Sequence, residues 1–189
     1  MICGVILAGG RGQRMGGADK ALLPLGQRPL LDHVVERLAP QVDTLVLSAN
    51  GDPARFQGRL PVVQDETPDY PGPLAGILAG MIRAEGAGAT RIVTVATDTP
   101  FFPDDLVKRL CDVDGAAVRI ATSAGRPHPT FGLWPVEAAP LLRDCLHSGD
   151  RSIMHAARLA GAAMVEFASA PTDPFFNINT AEDYRKCMA

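Results

Sequence analysis

The chain has 189 residues, 47% of them hydrophobic and 21% charged, and a formal net charge of −3. This composition is typical of a folded globular protein, and the length is enough for one domain with its own core. No apolar run reaches the roughly 18 residues that a membrane span needs, and the net negative charge offers nucleic acid no general electrostatic attraction.

We therefore expect a single cytoplasmic domain over residues 1–189, with no membrane or nucleic-acid partner. The first residues, MICGVIL, have no basic region of the kind that begins a leader peptide, and no cleavage pattern follows them. The four cysteines lie far apart without a CxxC pair, which favours free thiols and gives no sign of structural zinc; they are Cys3, Cys111, Cys145 and Cys187.

Short apolar runs alternate with helical patterns along the chain. The runs predict strands over 2–8, 44–49, 60–64, 91–97, 118–122, 130–134 and 163–167. Apolar positions at helical spacing predict helices over 30–38, 74–82, 103–109, 137–146 and 152–159, with a last helix capped by Thr180. Pro103 would open the third helix with Asp104 and Asp105 in its first turn, and Gly76 and Gly80 would allow the second to pack closely.

This alternation predicts an α/β fold with three α/β/α layers and a mostly parallel sheet. Ligands of such sheets bind at the carboxyl ends of the strands. The candidate site residues should therefore follow the apolar runs, and several do.

The segment LAGGRGQRMGGADK after the first predicted strand is rich in glycine and locally basic. Its glycines can turn the backbone sharply and bring N–H groups close to an anion; they are Gly9, Gly10, Gly12, Gly16 and Gly17. Arg14 and Lys20 can add a guanidinium fork and a point charge on phosphate. The segment predicts a nucleoside triphosphate site rather than a plain surface loop.

Two better-known glycine motifs are absent from this segment. A P-loop requires Lys and then Ser or Thr after its last glycine, but Ala18 follows Gly17. A dinucleotide fingerprint requires a third glycine three residues after the second, but Met15 follows Gly10 and Gly12 at that place.

Two aspartates follow later predicted strands. Asp98 ends the run IVTVATD, where a carboxylate can hold Mg²⁺ that bridges substrate phosphates; it lies too far from Pro103 to cap a helix there. Asp65 follows the strand at 60–64 and precedes YPGPLAG, and it can accept paired donors from a base edge or bind a ribose hydroxyl, unless it serves only the turn.

Polar segments near the end of the chain are weaker candidates. Asn177 and Asn179 lie on one face of the extended segment FFNINT, where turn formation is the competing explanation. His128, in HPT, and the segment GDRS from Gly149 are polar islands that could reach a second substrate, although a lone histidine is more often structural.

Together these segments resemble the molybdenum cofactor guanylyltransferases (the MobA family) along nearly the whole chain. The matching segments are LAGGRGQRMGGADKALL, DYPGPLAGIL, DTP at Asp98, HPT, GDRSIM and FFNINTAEDY. The resemblance implies a Rossmann-like nucleotidyltransferase fold and the transfer of GMP from GTP to the terminal phosphate of molybdopterin, with release of pyrophosphate. It also implies transient contacts with other cofactor-biosynthesis proteins and with acceptor apo-enzymes.

The resemblance assigns a role to each matching residue. Catalysis falls to Arg14, Lys20 and Asp98, with Asp98 as the Mg²⁺ ligand. The expected nucleotide-site residues are Leu7, Ala8, Gly9, Gly10, Lys20, Asp65, Gly72 and Asp98, joined by Asn177 and Asn179 near the active site.

One departure and several alternatives remain. The family's second strand often ends in Asn-Ala-Asn, whereas this chain has Ser48-Ala49-Asn50, so we expect a weaker or re-routed contact to the nucleotide there. A molybdopterin cytidylyltransferase, a sugar-phosphate nucleotidyltransferase or a non-catalytic nucleotide-binding homologue would share much of the pattern. Gly9, where enzymes that use CTP tend to carry alanine, and the YPGPLAG segment both favour guanine, and the short chain leaves little room for a sugar-binding subdomain.

Overall fold

A computed structural model of the chain describes residues 1–8, 19–65, 72–170, 172–178 and 183. Within these ranges the strands are β1 (Ile2–Leu7), β2 (Pro24–Leu25), β3 (Arg28–Pro29), β4 (Thr44–Ser48), β5 (Val62–Val63), β6 (Arg91–Ala96), β7 (Arg119–Ser123), β8 (Arg126–Pro135) and β9 (Ala163–Phe167). The α-helices are α1 (Leu30–Leu38), α2 (Pro73–Gly86), α3 (Leu106–Cys111), α4 (Ala139–His147) and α5 (Ile153–Leu159).

The described residues form a seven-stranded sheet in the order β5-β4-β1-β6-β8-β7-β9. All neighbouring pairs are parallel except those of β8, which runs antiparallel to β6 and β7. Leu7 at the end of β1 is level with Ser48 of β4 on one side and with Ala96 of β6 on the other. The sheet therefore presents several carboxyl ends at one edge, as the sequence predicts for a mostly parallel α/β fold.

Helices cover both faces of the sheet. Consecutive residues of β1 divide between the two cores, because Val5 packs with α2, α4 and α5 while Ile6 packs with α1 and α3. Gly80 of α2 lies so close to the sheet that a Cβ there would be 2.6 Å from Val5 Cγ1, which explains the glycine in the helix. The three-layer α/β/α architecture is therefore confirmed.

Two expectations from the sequence concern membrane-spanning helices and the cysteines. No helix in the described ranges is long and apolar enough to cross a membrane. Cys3, Cys111 and Cys145 are free thiols, as expected, whereas Cys187 lies outside the described residues.

The third helix begins later than predicted. Pro103, Asp104 and Asp105 precede α3, whose first helical residue is Leu106, so the two acidic residues do not lie in its first turn. Asp104 instead accepts a hydrogen bond from Arg37 of α1 at 2.6 Å. A tertiary ion pair thus takes the carboxylate that the sequence pattern assigns to the helix dipole.

Several strands and turns also differ from the prediction. The strand expected at 130–134 extends over Arg126–Pro135, and it forms a hairpin with β7 through Ala124 and Gly125, both at positive φ. The strand expected at 60–64 is reduced to Val62–Val63, and a small hairpin of β2 and β3 was not predicted. Thr180, the expected cap of a last helix, lies outside the described residues.

Candidate active site

The candidate site begins where β1 ends. Backbone hydrogen bonds join Ala8 N to Ser48 O at 2.9 Å and Thr97 N to Leu7 O at 3.2 Å. These bonds continue the sheet one residue beyond the strands, so Leu7 and Ala8 are fixed between the ends of β4 and β6. In doubly wound sheets this crevice, where the connections diverge to opposite sides, is the usual ligand site.

Lys20 and Asp98 form an ion pair at this edge. Lys20 Nζ donates to Asp98 Oδ2 at 3.0 Å, and their side chains are 27% and 25% exposed. Lys20 begins a 3₁₀ turn, Lys20–Leu22, that Asp19 caps by accepting from Ala21 N at 3.0 Å. Two catalytic candidates that are 78 residues apart in sequence are therefore brought into direct contact.

The C-terminal segment supports Asp98 from the other side. Ile178 N donates to Asp98 O at 2.7 Å, and Thr99 Oγ1 donates to Asn177 Oδ1. The side chain of Asn177 is otherwise exposed at the sheet edge. The prediction that Asn177 lies near Asp98 is consistent with these contacts, although its role in binding remains a prediction.

A cleft opens beside β1, between the end of β4 and the start of α2. Its lining consists of Leu7, Ser48, Ala49, Asn50, Asp65, Gly72, Pro73 and Gly76. Three expected nucleotide-site residues, Leu7, Asp65 and Gly72, therefore share one cleft. The lining combines apolar side chains and glycines with the polar side chains of Ser48, Asn50 and Asp65, a mixture that suits a planar heterocycle with hydrogen-bonding edges.

Asn50 and Asp65 face each other across the polar end of this cleft. Asn50 Nδ2 donates to Asp65 Oδ2 at 2.7 Å, and Asp65 N donates to Asn50 Oδ1 at 3.0 Å. Burial raises the pKa of Asp65, and the hydrogen bond from Asn50 works in the opposite direction. Asn50 therefore holds a carboxylate in a partly desolvated place where a ligand can reach it.

Ser48, which departs from the family's asparagine, is 3% exposed and lines the same cleft. It packs against Gly76 of α2, where an added Cβ would collide with Ser48 Oγ. The small side chains at both positions bring α2 against the end of β4. The expected re-routing of a nucleotide contact at Ser48 remains a prediction.

A second polar cluster lies at the same edge, where β7 ends and β8 begins. Ser123 Oγ lies 2.6 Å from His128 Nε2 and donates to Asp173 Oδ1 at 2.9 Å, while the His128 ring stacks on Phe175. Burial lowers the pKa of His128, partly opposed by the charge of Asp173. These contacts give His128 a structural role in holding the segment that leads to Asn177.

The GDRS segment forms the turn between α4 and α5. Gly149 has φ +84°, Asp150 accepts from Ser152 N at 2.8 Å, and Ser152 caps α5 by accepting from His155 N at 3.2 Å. Asp150 and Ser152, two polar residues of this segment, thus form local hydrogen bonds that stabilise the turn. Their contact with a second substrate remains a prediction.

Mg²⁺ was expected at Asp98, and the described residues fit a partly substrate-held ion. No group of three or more His, Cys, Asp and Glu side chains that could form a metal site occurs in the part of the chain that the structure describes. Mg²⁺ commonly takes one or two carboxylates and completes its shell with substrate phosphates and water. Asp98 retains acceptor sites beyond the one that Lys20 uses, so a single carboxylate can serve.

The expected site residues Gly9, Gly10, Arg14 and Asn179 lie outside the described residues. Conversely, sequence reasoning gave no role to Asn50, Asp173 or Arg55. An asparagine directly after a predicted strand was a usable signal for Asn50, whereas Asp173 and Arg55 carry no local pattern that distinguishes them from surface charges.

The chain is similar to known proteins in sequence and in fold. The family model of the MobA-like NTP transferase domain matches residues 4–162. A molybdenum cofactor guanylyltransferase of Cereibacter sphaeroides is 51% identical over 181 residues, which cover 95% of this chain and 92% of that protein. One from Bradyrhizobium sp. (strain ORS 278) is 48% identical over 187 residues, covering 95% and 88%. The crystal structure of molybdopterin-guanine dinucleotide biosynthesis protein A from Archaeoglobus fulgidus has the same fold, with a TM-score of 0.78 at 22% identity and coverage of 98% and 96%.

Proposed function

This chain belongs to the MobA-like NTP transferase family, and from that premise we propose that it transfers GMP from GTP to the terminal phosphate of molybdopterin. The products are molybdopterin guanine dinucleotide and pyrophosphate. The enzyme class is that of the nucleotidyltransferases. We further propose that the reaction runs in the cytoplasm and involves transient contacts with proteins that deliver or receive the pterin.

The observation that carries the proposal is the division of the sheet edge into two parts. Asp98, which pairs with Lys20, follows β6. Asn50 and Asp65, which pair with each other, follow β4 and β5, and the end of β1 lies between the two pairs. Three strand spacings separate β6 from β5, or about 14 Å. That span suits an extended nucleotide with its triphosphate at Lys20 and its base in the cleft.

The polar end of the cleft favours guanine as the base. An ionised Asp65 can accept from two adjacent N–H groups, which the N1 and N2 positions of guanine supply together. Asn50 holds the carboxylate by the side-chain bond of 2.7 Å, so its orientation is set before the ligand arrives. A base without two adjacent donors would leave a desolvated carboxylate partly unpaired, which costs binding energy.

Transfer requires positioning and charge neutralisation more than covalent chemistry by the protein. An oxygen of the molybdopterin phosphate forms a bond to the α-phosphorus of GTP. The bond from that phosphorus to the bridging oxygen breaks, and pyrophosphate leaves with the electron pair. Lys20, together with Arg14 and backbone N–H groups of the glycine-rich segment LAGGRGQRMGGADK, would stabilise charge on the α-phosphate and the leaving group.

Asp98 would hold Mg²⁺ at this place. When bound there, the ion supplies charge neutralisation on the triphosphate. Before substrate binds, Lys20 balances the Asp98 carboxylate. The bond from Ile178 N keeps the Asp98 backbone fixed, and Asn177 lies beside it.

A thermal-shift panel of GTP, CTP and ATP, each with and without Mg²⁺, tests the nucleotide assignment. A ligand at one hundred times its Kd stabilises by about 2.7 kcal/mol, which in a domain of this size raises Tm by about 5–11 °C. We expect that shift with GTP and Mg²⁺, followed by pyrophosphate release when molybdopterin is added. A larger shift with CTP would overturn the guanine assignment, and binding without pyrophosphate release would indicate a non-catalytic homologue.

A further inference from the structure

Arg55 occupies an unusual place between the two halves of the proposed site. It lies in the 3₁₀ turn Pro53–Phe56, and three of its nitrogens donate to three different acceptors. Nε donates to Asp19 Oδ2 at 2.7 Å, Nη1 to Asp52 O at 2.6 Å and Nη2 to Asn50 O at 2.6 Å. The planar guanidinium thus joins a side chain from one segment to two carbonyls of another.

The contact with Asp19 fixes the segment that carries Lys20. Asp19 Oδ1 accepts from Ala21 N at 3.0 Å while Oδ2 accepts from Arg55, so both carboxylate oxygens are engaged. Lys20 is the next residue, and its ammonium contacts Asp98 at 3.0 Å. The direction of the Lys20 side chain therefore depends on a short turn that Arg55 anchors.

The contacts with carbonyl oxygens fix the segment that carries Asn50. Arg55 Nη2 bonds the carbonyl of Asn50, whose side chain exchanges two hydrogen bonds with Asp65. Gly51 allows this turn because its φ is +85°, and a Cβ there would lie 3.4 Å from Arg55 Nη1. The chain at 50–52 therefore curves closely around the guanidinium.

One face of the Arg55 guanidinium packs against the ring of Phe56. Arg55 Cζ lies 4.3 Å from the centroid of the Phe56 ring, which is fully buried. Arg55 is absent from the cleft lining. We infer that Arg55 is a positioning residue that holds the triphosphate end, at Lys20, and the base end, at Asn50 and Asp65, in register for one nucleotide. The inference rests on the proposed function, because it assumes that one ligand spans both ends.

The chain offers a matched control in Arg59, four residues further on. Arg59 Nε donates to Asp32 Oδ1 at 2.9 Å, and their side chains are 31% and 30% exposed, against 27% and 20% for Arg55 and Asp19. Asp32 belongs to α1, not to the edge that carries Lys20 and Asp65. Arg59→Met therefore removes a comparable ion pair, together with longer bonds to Phe56 O and Gln57 Oε1, and it leaves the bonds of Asp19, Asn50 and Asp65 in place.

The test compares Arg55→Met, Arg55→Lys and Arg59→Met by GTP–Mg²⁺ calorimetry and by steady-state transfer to molybdopterin. Misplacing reacting groups by about 1 Å can cost 100-fold, so Arg55→Met should lower kcat/KM for GTP by about 10- to 100-fold relative to Arg59→Met. Its KM for molybdopterin and its Tm should match the control. Arg55→Lys keeps the charge but loses the fork, so it should lie between Arg55→Met and the unmodified protein, and it carries the test if Arg55→Met fails to fold.

Two outcomes separate this inference from the proposed function. If unmodified protein binds GTP and forms product but Arg55→Met matches Arg59→Met within twofold, the positioning role is wrong and the proposed function stands. If unmodified protein forms no guanylylated product, the proposed function is wrong. The calorimetric comparison then still decides whether Arg55 organises the nucleotide site, since equal Kd values in the two variants would overturn that role.

Discussion

Gly76 offers a direct test of the cleft, because a single methyl group there has a defined effect. Gly76 belongs to α2 and lines the cleft, and an added Cβ would collide with Ser48 Oγ and approach Leu7 Cδ2 to 3.4 Å. Ser48 lies at the end of β4 and is 3% exposed. In Gly76→Ala, the Ser48 hydroxyl must therefore turn away, α2 must shift away from β4, or the cleft must narrow.

The cost can be worked from these contacts. Overpacking a tight contact costs about 1–3 kcal/mol, and replacing a helical glycine with alanine returns about 1 kcal/mol. A net loss of up to about 2 kcal/mol would lower Tm by at most about 8 °C in a domain of this size. The same shift of the cleft wall should raise the Kd for GTP about tenfold or more, equivalent to about 1.4 kcal/mol.

Gly80→Ala separates stability from binding. A Cβ at Gly80 would lie 2.6 and 2.7 Å from the two methyl carbons of Val5, one helical turn away from the cleft lining. Both variants should have a lower Tm than the unmodified protein, but only Gly76→Ala should bind GTP–Mg²⁺ more weakly in calorimetry. Equal GTP affinities in the two variants would refute the placement of the nucleotide in this cleft.

Three further predictions concern single side chains. Lys20→Met and Asp98→Asn should each lower kcat for pyrophosphate release by about 100-fold or more, on the order of 3 kcal/mol, with folding retained by circular dichroism; near-normal turnover would remove the assigned role. Burial raises the pKa of Asp65 in the folded protein. The contribution of Asp65 to the free energy of unfolding is therefore fully present at pH values below its ordinary pKa, and it is lost as the pH rises through its pKa in the folded protein. Asp65→Asn should therefore be more stable than the unmodified protein in urea at pH 7 but bind GTP more weakly, and equal urea midpoints at pH 7 would contradict this. Burial lowers the pKa of His128 in the folded protein. The contribution of His128 to the free energy of unfolding is therefore present above pH 6.5, and it is lost as the pH falls through its pKa in the folded protein. His128→Phe, which keeps a ring against Phe175, should flatten the fall of Tm between about pH 7 and pH 5, and an unchanged pH profile would count against the role.

The sequence was informative where one local segment determines the structure. Buried strands such as Arg91–Ala96 are recognisable in the sequence as apolar runs, and in a parallel sheet the residues that follow such strands lie at one edge. That reasoning correctly brought Asp98 and Asp65 to the same edge. It needed no knowledge of which residues contact them.

The contacts that organise the site were not predictable in this way. Arg55 meets Asp19 across 36 residues and Ser123 meets Asp173 across 50, and pairs so distant in sequence depend on how whole elements pack. The hairpin between β7 and β8 was missed because Ala124, at φ 49°, is not a residue that marks a positive-φ turn. Asp104 was assigned to a helix because its competing partner, Arg37, lies in another element.

The central claim is attack on the α-phosphorus of GTP by a molybdopterin phosphate, and isotope labelling tests it most directly. The protein would be incubated with molybdopterin, Mg²⁺ and GTP labelled in separate reactions at the α- or the γ-phosphorus. We expect the α-label in the pterin product and the γ-label in pyrophosphate, in equal amounts. Recovery of the γ-label as inorganic phosphate, or of no α-label in the pterin while CTP labels it, would contradict the account.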